Sequence, residues 1–215
     1  AKDTLYFENQ YLTSRVVGEA LQQRLSEANG PEVAIVVPSV CSGWMEENTM
    51  GARRSALLRA LDAADTFRRC IVVAPRMSAA PGTPRLNVHG KVSVADDRLL
   101  RIGSANLNNR SGGFDTECEL AVAADDEAGR LAIGAFRDRL VGHFMGCTGD
   151  AVAKARADFG GLAAAIDALN RDGRLQPTSE GRRGRPGARL DSGRGPRPRR
   201  EVAFEPLGGE PHHLL

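Results

Sequence analysis

The sequence predicts an α/β fold in which a mixed β-sheet is flanked by helices. Two short apolar runs, Val33–Val37 and Cys70–Ala74, each end at a proline and are typical of strands that are covered on both faces. Segments with helical periodicity alternate with these runs. Further along, two strands joined by Asp96-Asp97 predict a hairpin. The resulting order, β-α-β-α-β-ββ-β-α, is that of a mixed sheet with helices on its faces.

Helices are predicted where apolar residues recur every three to four positions. The first runs from Arg15 to Glu27, with Thr13 or Ser14 as its cap, and it stops at Asn29-Gly30-Pro31. Three further helices are predicted at Glu46–Ala64, Asp125–Met145 and Leu162–Asn170. The residues expected on the buried sides of the first two helices are Val17, Ala20, Leu21, Leu25, Leu57, Leu58 and Leu61.

The remaining strands are predicted from β-branched, aromatic or alternating residues. Thr4–Phe7 opens the sheet, Val88–Ala95 alternates cleanly and pairs with Leu99–Gly103, and Cys118–Ala123 follows. Loops are predicted for two segments rich in Pro, Gly or polar residues, Pro75–Pro84 and Ser104–Thr116.

The chain divides by composition into a body and a basic tail. Its 215 residues carry a formal charge of +2, with 41% hydrophobic and 5% aromatic residues, which excludes a coiled coil or a collagen-like chain. Residues 171–215 hold ten Arg and six acidic residues, whereas residues 1–170 hold 19 bases and 21 acids. We predict a folded domain over residues 1–176 and a disordered Arg/Gly/Pro-rich tail over residues 177–215. The tail has the charge to contact an anionic lipid surface, and it lacks the interleaved aromatic residues of a base-stacking segment, so nucleic acid is the less favoured partner.

Neither a metal site nor a membrane span is predicted. The four cysteines are spaced 29, 48 and 29 residues apart, without the close pairs of a zinc site. Each lies in or beside an apolar stretch, which predicts buried reduced thiols and leaves a disulfide open. No run of about 18 apolar residues occurs. We expect the protein in the cytoplasm or peripherally at a membrane.

The residues best suited to chemistry lie in the predicted strand Val88–Ala95. Alternation along a strand puts His89 and Lys91 on one face, with Val88, Val92 and Val94 on the other. A titratable imidazole beside a permanent cation suits an anionic substrate, because the lysine binds a phosphoryl oxygen while the histidine attacks or donates a proton. Asp96 has the other parity and lies at the turn, so we expect it to accept hydrogen bonds within the hairpin.

The segment after the hairpin adds groups that suit a phosphate. Gly103 allows close approach of the backbone, and the Ser104 hydroxyl and Asn106 amide can donate to non-bridging oxygens. Asp115-Thr116-Glu117 offers a carboxylate that could hold the second nitrogen of the imidazole and fix its tautomer. Arg110 and Ser111 are expected to stabilise the loop more than to contact substrate.

These residues resemble the HKD signature of the phospholipase D superfamily. The matching positions are His89, Lys91, Asp96, Gly103, Ser104, Asn106, Arg110, Ser111, Asp115 and Glu117. The opening segment Tyr6–Ser14 is similar to the strand and turn that begin the second half of two-motif bacterial phospholipases D. Within it, Glu8 and Asn9 either line the cleft or only close the strand end. The resemblance covers about residues 4–170 and implies a phospholipase D-like sandwich that forms one half of a pseudo-twofold, two-domain enzyme.

The resemblance also implies a mechanism for hydrolysis or exchange of phospholipid headgroups. In it, one histidine attacks the phosphodiester to give a phosphohistidine, and a histidine from a second motif protonates the leaving alcohol. The implied catalytic motif is His89, Lys91 and Asp96, with Ser104 and Asn106 holding phosphate and Glu117 orienting the ring. No cofactor or metal is implied. Whether His89 is the nucleophile or the general acid stays open.

This sequence departs from the family pattern at two points. His-x-Lys occurs once, because none of His143, His212 and His213 has a lysine two residues on. We expect the other half of the site from an upstream segment, as the absence of an initial Met suggests, or from a second copy in a homodimer. Gly90 stands where the family usually has serine. A cardiolipin-synthase-like enzyme, a nuclease, and an inactive fragment that binds anionic surfaces are the alternatives.

Overall fold

A seven-stranded mixed sheet between two layers of helices forms the described part of the chain, and the computed structural model describes residues 1–39, 44–77 and 86–178. The strands are β1 (Thr4–Asn9), β2 (Glu32–Val36), β3 (Cys70–Pro75), β4 (Lys91–Ala95), β5 (Leu99–Gly103), β6 (Glu119–Ala123) and β7 (Leu175–Pro177). The helices are α1 (Arg15–Ser26), α2 (Trp44–Ala64), α3 (Glu127–Met145), α4 (Gly149–Phe159) and α5 (Leu162–Leu169).

The strand order is β6-β5-β4-β1-β2-β3-β7. β1, β2 and β3 run parallel and are connected by α1 and α2, whereas β4 pairs antiparallel with β1. The β1–β4 register sets Asn9 opposite Lys91 and Phe7 opposite Ser93. Since β4–β5 and β5–β6 are also antiparallel, the end of β1, the start of β4, the end of β5 and the start of β6 meet at one edge of the sheet.

Each face of the sheet is packed by its own group of helices. On one face α1 and α2 cover a core whose sheet members include Val33 and Ile35. On the other face α3, α4 and α5 cover a core that includes Tyr6, Val94 and Val88. Val92 and Val94 of β4 pack in this second core, and alternation places Lys91 and Ser93 on the opposite face.

The predicted fold class is confirmed, and most predicted elements end within two residues of the observed ones. One difference concerns the candidate site, because the strand predicted from Val88 begins at Lys91. β1 ends at Asn9, opposite Lys91, so among the described residues no strand lies beside residues 88–90 to complete a ladder. Val88 is nevertheless buried in the core, as predicted.

Three further differences lie away from the site. α4 and β7 were not predicted. On α1, Gly18 is buried where Ala20 was expected, because Leu57 of α2 packs directly on the glycine. Of the predicted disordered tail, residues 177–215, only Pro177 and Thr178 fall within the described residues, and Pro177 belongs to β7. Across the described residues, no helix combines the length and the apolarity needed to cross a bilayer.

Candidate active site

The His89–Lys91 pair forms the centre of the candidate site. His89 is exposed and lies just before β4, whereas Lys91 is the first residue of that strand and is only 9% exposed. The Lys91 ammonium donates to the His89 carbonyl oxygen at 2.8 Å and lies 3.1 Å from His89 Nδ1. The two side chains therefore meet as alternation predicted, although His89 is not in a strand.

Gln10 completes the surroundings of the lysine. Its Oε1 accepts a hydrogen bond from Lys91 Nζ at 3.2 Å. Burial lowers the pKa of Lys91, and the negative charge of Glu117 opposes this effect. An ammonium has only donors, so its contact with Nδ1 leaves the proton of a neutral His89 ring on Nε2. The cation is thus held at the sheet edge, directly beside the exposed imidazole.

Ser104 and Glu117 lie on the neighbouring segments and bond to each other. The Ser104 hydroxyl donates to Glu117 Oε2 and accepts from the Cys118 amide at 2.9 Å. Hydrogen bonds from the Ser104 and Ser111 hydroxyls hold the pKa of Glu117 below its usual range, with a smaller contribution from Lys91. The carboxylate is engaged by these hydroxyls, so its expected role as the orienting partner of the His89 ring stays a prediction.

Gly103 and Asn106 flank Ser104. Gly103 lies at the end of β5, where the Cys118 backbone and the Glu119 side chain leave no space for a Cβ atom. The Oδ1 atom of Asn106 is buried and has no hydrogen-bond partner within the described residues. The expected role of the Asn106 amide group in donating to phosphate stays a prediction.

Asn9 bonds the loop after β5 to the end of β1. Its Oδ1 accepts from the Leu107 amide at 2.9 Å and from the Tyr11 amide at 3.1 Å. The Leu107 carbonyl in turn accepts from Thr13 and Ser14. Asn9 thereby holds the loop after β5 against the end of β1. Of the two interpretations of this residue, the closing of the strand end is the one that its contacts support.

Arg110 and Ser111 stabilise the same loop, as expected. Arg110 pairs with Asp115 at 2.7 Å, and its guanidinium lies 5.9 Å from the Phe114 ring centroid. Ser111 donates its amide to Asn108 Oδ1 at 2.7 Å. Since Asp115 is occupied by Arg110, Glu117 is the carboxylate of this segment that lies with Ser104.

Asp96 is not brought to the other motif residues. It lies at the far end of β4 and accepts from the amides of Lys2, Asp3 and Thr4 at 2.7, 2.8 and 2.9 Å. Asp96 is thus a structural acceptor, but its donors lie at the start of β1 and not within the hairpin where they were expected. The catalytic role that the family resemblance implies for it stays a prediction.

The motif analysis missed Glu119, which follows Glu117 by two residues. Its Oε1 accepts from the Ala105 amide at 2.6 Å, and its Oε2 pairs with Arg101 at 2.7 Å. This carboxylate fixes the backbone between Ser104 and Asn106. The D-x-E-x-E spacing was visible in the sequence, and only the pairing of β5 with β6 shows what its last member contacts. No group of three potential metal ligands occurs among the residues described.

Comparison with known proteins gives local sequence similarity and a shared fold. The chain is 41% identical over 44 residues to a phospholipase D of Phytophthora infestans and 44% identical over 46 residues to phospholipase D B of Dictyostelium discoideum. These matches cover 20% and 21% of the chain and only 2% and 4% of the relatives' own lengths. No protein-family model matches the sequence.

Among solved structures, phosphatidylserine synthase of Haemophilus influenzae Rd KW20 superposes with a TM-score of 0.50 at 18% identity, over 79% of this chain and 41% of that one. NucT from Helicobacter pylori gives a TM-score of 0.46 at 19% identity, over 66% of this chain and 80% of that one. The chain therefore has local sequence similarity to phospholipases D and shares the fold of this phosphatidylserine synthase.

Proposed function

We propose that this chain supplies one histidine-bearing half of a phospholipase D-type site that cleaves or exchanges the headgroups of phospholipids. The observation that carries the proposal is the His89–Lys91 pair. A buried ammonium lies 3.1 Å from an exposed imidazole, next to the hydroxyl of Ser104 at the same sheet edge. A cation held in a partly desolvated position binds a phosphoryl oxygen more strongly than one in water does.

The proposed reaction has two displacements. A histidine nitrogen attacks phosphorus and forms a P–N bond, while the P–O bond to the headgroup alcohol breaks and a second histidine gives that oxygen a proton. Water or another alcohol then breaks the P–N bond and returns a proton, which yields phosphatidic acid or an exchanged phospholipid. Lys91, Ser104 and Asn106 hold the non-bridging oxygens. His89 serves as one of the two histidines.

The second histidine is proposed to come from a second motif, since His-x-Lys occurs once in the 215 residues. Either a second copy of this chain or another segment of a longer protein would bring it. The headgroup substrate reaches the site at a membrane surface, to which the protein binds peripherally. The tail of residues 177–215, with its excess of Arg, is proposed to favour anionic lipids.

Headgroup release tests the proposal. We expect choline release from phosphatidylcholine vesicles, and transfer to added ethanol, by the chain at concentrations where sedimentation shows a dimer or with its other half supplied. His89→Ala should lower kcat by about 10³-fold or more, and Lys91→Ala by about 10²-fold, the usual losses for an acid–base group and for a charge-stabilising donor.

Lys154→Ala is the matched control, because Lys154 lies on the exposed surface of α4, where it pairs with Asp158. It should leave kcat unchanged. Equal turnover by wild type and His89→Ala would refute the proposal. Phosphatidylglycerol and DNA substrates run in parallel separate a lipid-directed enzyme from the synthase-like and nuclease alternatives. A chain that stays inactive as a dimer and with its other half, yet binds anionic vesicles in a salt-sensitive way, would identify the non-catalytic alternative.

A further inference from the structure

Glu8 is a buried carboxylate directly behind the His89–Lys91 segment, and the chemistry proposed above gives it no part. In β1 it lies opposite Val92 of β4, so its side chain is on the α3 side of the sheet, away from Lys91. It is only 6% exposed. Apolar residues form the core on that face, and Val92 itself packs against it. Burying a carboxylate in such a place is costly unless hydrogen bonds or an opposite charge compensate for its lost hydration.

One oxygen of this carboxylate is held by Tyr6. The Tyr6 hydroxyl donates to Glu8 Oε1 at 2.6 Å, and Tyr6 is fully buried in the core under α3. Burial raises the pKa of Glu8, which the Tyr6 hydrogen bond and His143 of α3 partly offset. Arg137 of α3 is the other charged group that acts on Tyr6. The side chain of Glu8 therefore has a fixed direction.

The other oxygen packs against Gly90. A Cβ atom added to Gly90 would lie 2.9 Å from Glu8 Oε2 and 3.5 Å from Glu8 Cβ. Real Cβ atoms essentially never approach a heavy atom within 3.0 Å. Gly90 is the single residue between His89 and Lys91, and residues 88–90 have no strand partner. The backbone that carries the imidazole thus lacks ladder hydrogen bonds and lies directly on the carboxylate of Glu8.

We propose that Glu8 is a positioning residue, whose carboxylate, fixed by Tyr6, supports the backbone at Gly90 and thereby sets the relative positions of the His89 ring and the Lys91 ammonium. The effect on turnover rests on the proposed function. The mechanical coupling of Glu8 to Gly90 does not rest on the proposed function, and it is measured separately.

The coupling is measured by NMR without any substrate. In a His89→Asn background, which removes the neighbouring imidazole, the Gly90 amide resonance is followed between about pH 4 and pH 8. We expect one transition with a midpoint above the ordinary glutamate value of about 4.3. The transition should vanish when Glu8→Gln is added, and the amide of Gly51 in α2 should show none. A Gly90 amide that titrates alike with and without Glu8→Gln would overturn the proposal.

The consequence for turnover is measured by a double-mutant cycle. Gly90→Ala should lower kcat about tenfold or more, because displacing a reacting group by a fraction of an ångström is costly, with a smaller change in KM. The Glu8→Ala variant lacks Oε2 and keeps only the Cβ atom, which lies 3.5 Å from a Cβ atom added at Gly90. In this background Gly90→Ala should lower kcat less than about threefold. Glu8→Gln keeps the shape and the acceptor for Tyr6 and should retain kcat within about threefold.

Gly51→Ala is the matched control, since nothing lies within 4 Å of the added Cβ atom. It should leave kcat unchanged. Equal losses from Gly90→Ala in both backgrounds would overturn the positioning role. A wild type without phosphodiesterase activity would refute the proposed function, and the amide titration would still decide whether Glu8 supports Gly90.

Discussion

Replacing Asp96 tests whether the last residue of the HKD motif acts in chemistry or in structure. Its carboxylate accepts three backbone hydrogen bonds, from Lys2, Asp3 and Thr4, and so ties the start of β1 to the turn between β4 and β5. The residue also has a φ of 54°, in the left-handed region that Asn and Asp tolerate better than other non-glycine residues. Asn tolerates this conformation, whereas Ala adopts it only with strain.

The expected loss follows from the number of donors. Asp96→Asn removes one acceptor oxygen and leaves the remaining hydrogen bonds to a neutral group. A loss of about 0.5–1 kcal/mol for each affected, partly exposed hydrogen bond lowers the free energy of unfolding by about 2 kcal/mol in total. Asp96→Ala loses all three hydrogen bonds and adds about 1 kcal/mol of left-handed strain, for about 4 kcal/mol in total. In a domain of this size these losses correspond to Tm decreases of about 4–8 °C and about 8–16 °C.

Thermal unfolding and turnover, measured on the same variants, distinguish a structural from a catalytic role of Asp96. At a temperature where each variant is folded, we expect kcat of Asp96→Asn within about twofold of the wild type. Asp158→Asn, which removes a carboxylate from an exposed pair with Lys154, is the control and should change stability by less than about 0.5 kcal/mol. A variant Asp96→Asn with unchanged Tm and kcat lowered about 10²-fold would refute the structural role.

The pH dependence gives an independent check of the same contacts. Burial alone raises the pKa of Asp96, and the amides of Thr4, Asp3 and Lys2 outweigh it, so the pKa lies below its usual range. A carboxylate with a lowered folded-state pKa stabilises the fold above its unfolded value, about 3.9. This contribution is lost as the pH falls through the folded-state pKa. The difference in stability between wild type and Asp96→Asn should therefore shrink below about pH 4.

Two further predictions concern other parts of the fold. Arg137→Met should lower the free energy of unfolding, measured in urea, by about 3–5 kcal/mol. The fully buried guanidinium pairs with Asp97 and with the buried Asp138, and both carboxylates lose this partner in the variant. A decrease below about 1 kcal/mol would contradict this prediction. Cys118 is exposed, whereas burial raises the pKa of Cys70 to about 12. A disulfide reagent at about pH 8 should therefore label Cys118 before Cys70, and peptide mass mapping measures the two labelling rates. Equal labelling rates would show that Cys70 is not protected.

The contact between His89 and Lys91 could be predicted because it depends on local geometry. Residues two apart in an extended backbone present their side chains to the same side, whether or not the segment has a strand partner. The Lys91 ammonium also bonds the carbonyl of His89 itself, which keeps the pair together without help from a neighbouring strand. The expectation thus held although the strand begins only at Lys91.

The parts of the site that depend on strand pairing could not be predicted in the same way. Gln10 reaches Lys91 across 81 positions of the sequence, and Glu8 lies under Gly90 only because β1 pairs with β4 in a particular register. Alternation shows which residues share a face, but it does not show which strands are neighbours. Cys118 shows a related error, since its apolar surroundings predicted a buried thiol and it follows a loop at the open sheet edge.

The missed helix α4 shows which sequence signals were too weak. Its buried side consists of Val152 and Ala155, so the apolar periodicity is slight. Its ends are marked, because Thr148 caps the first turn through the Ala151 amide and Gly160 ends the helix in the left-handed conformation. Cap residues around an alanine-rich segment were therefore the better indicator of this helix.

The two faces of the sheet carry different residues of the candidate site. Lys91 and Gln10 meet on one side of the β1–β4 pair, where the ammonium is beside the imidazole. Glu8 lies on the other side, among apolar residues, where an aliphatic side chain would pack without the cost of burying a carboxylate. Its Oε1 satisfies the buried Tyr6 hydroxyl, which an aliphatic side chain would leave without this acceptor. Its Oε2 lies against Gly90 and supports the backbone from which His89 projects.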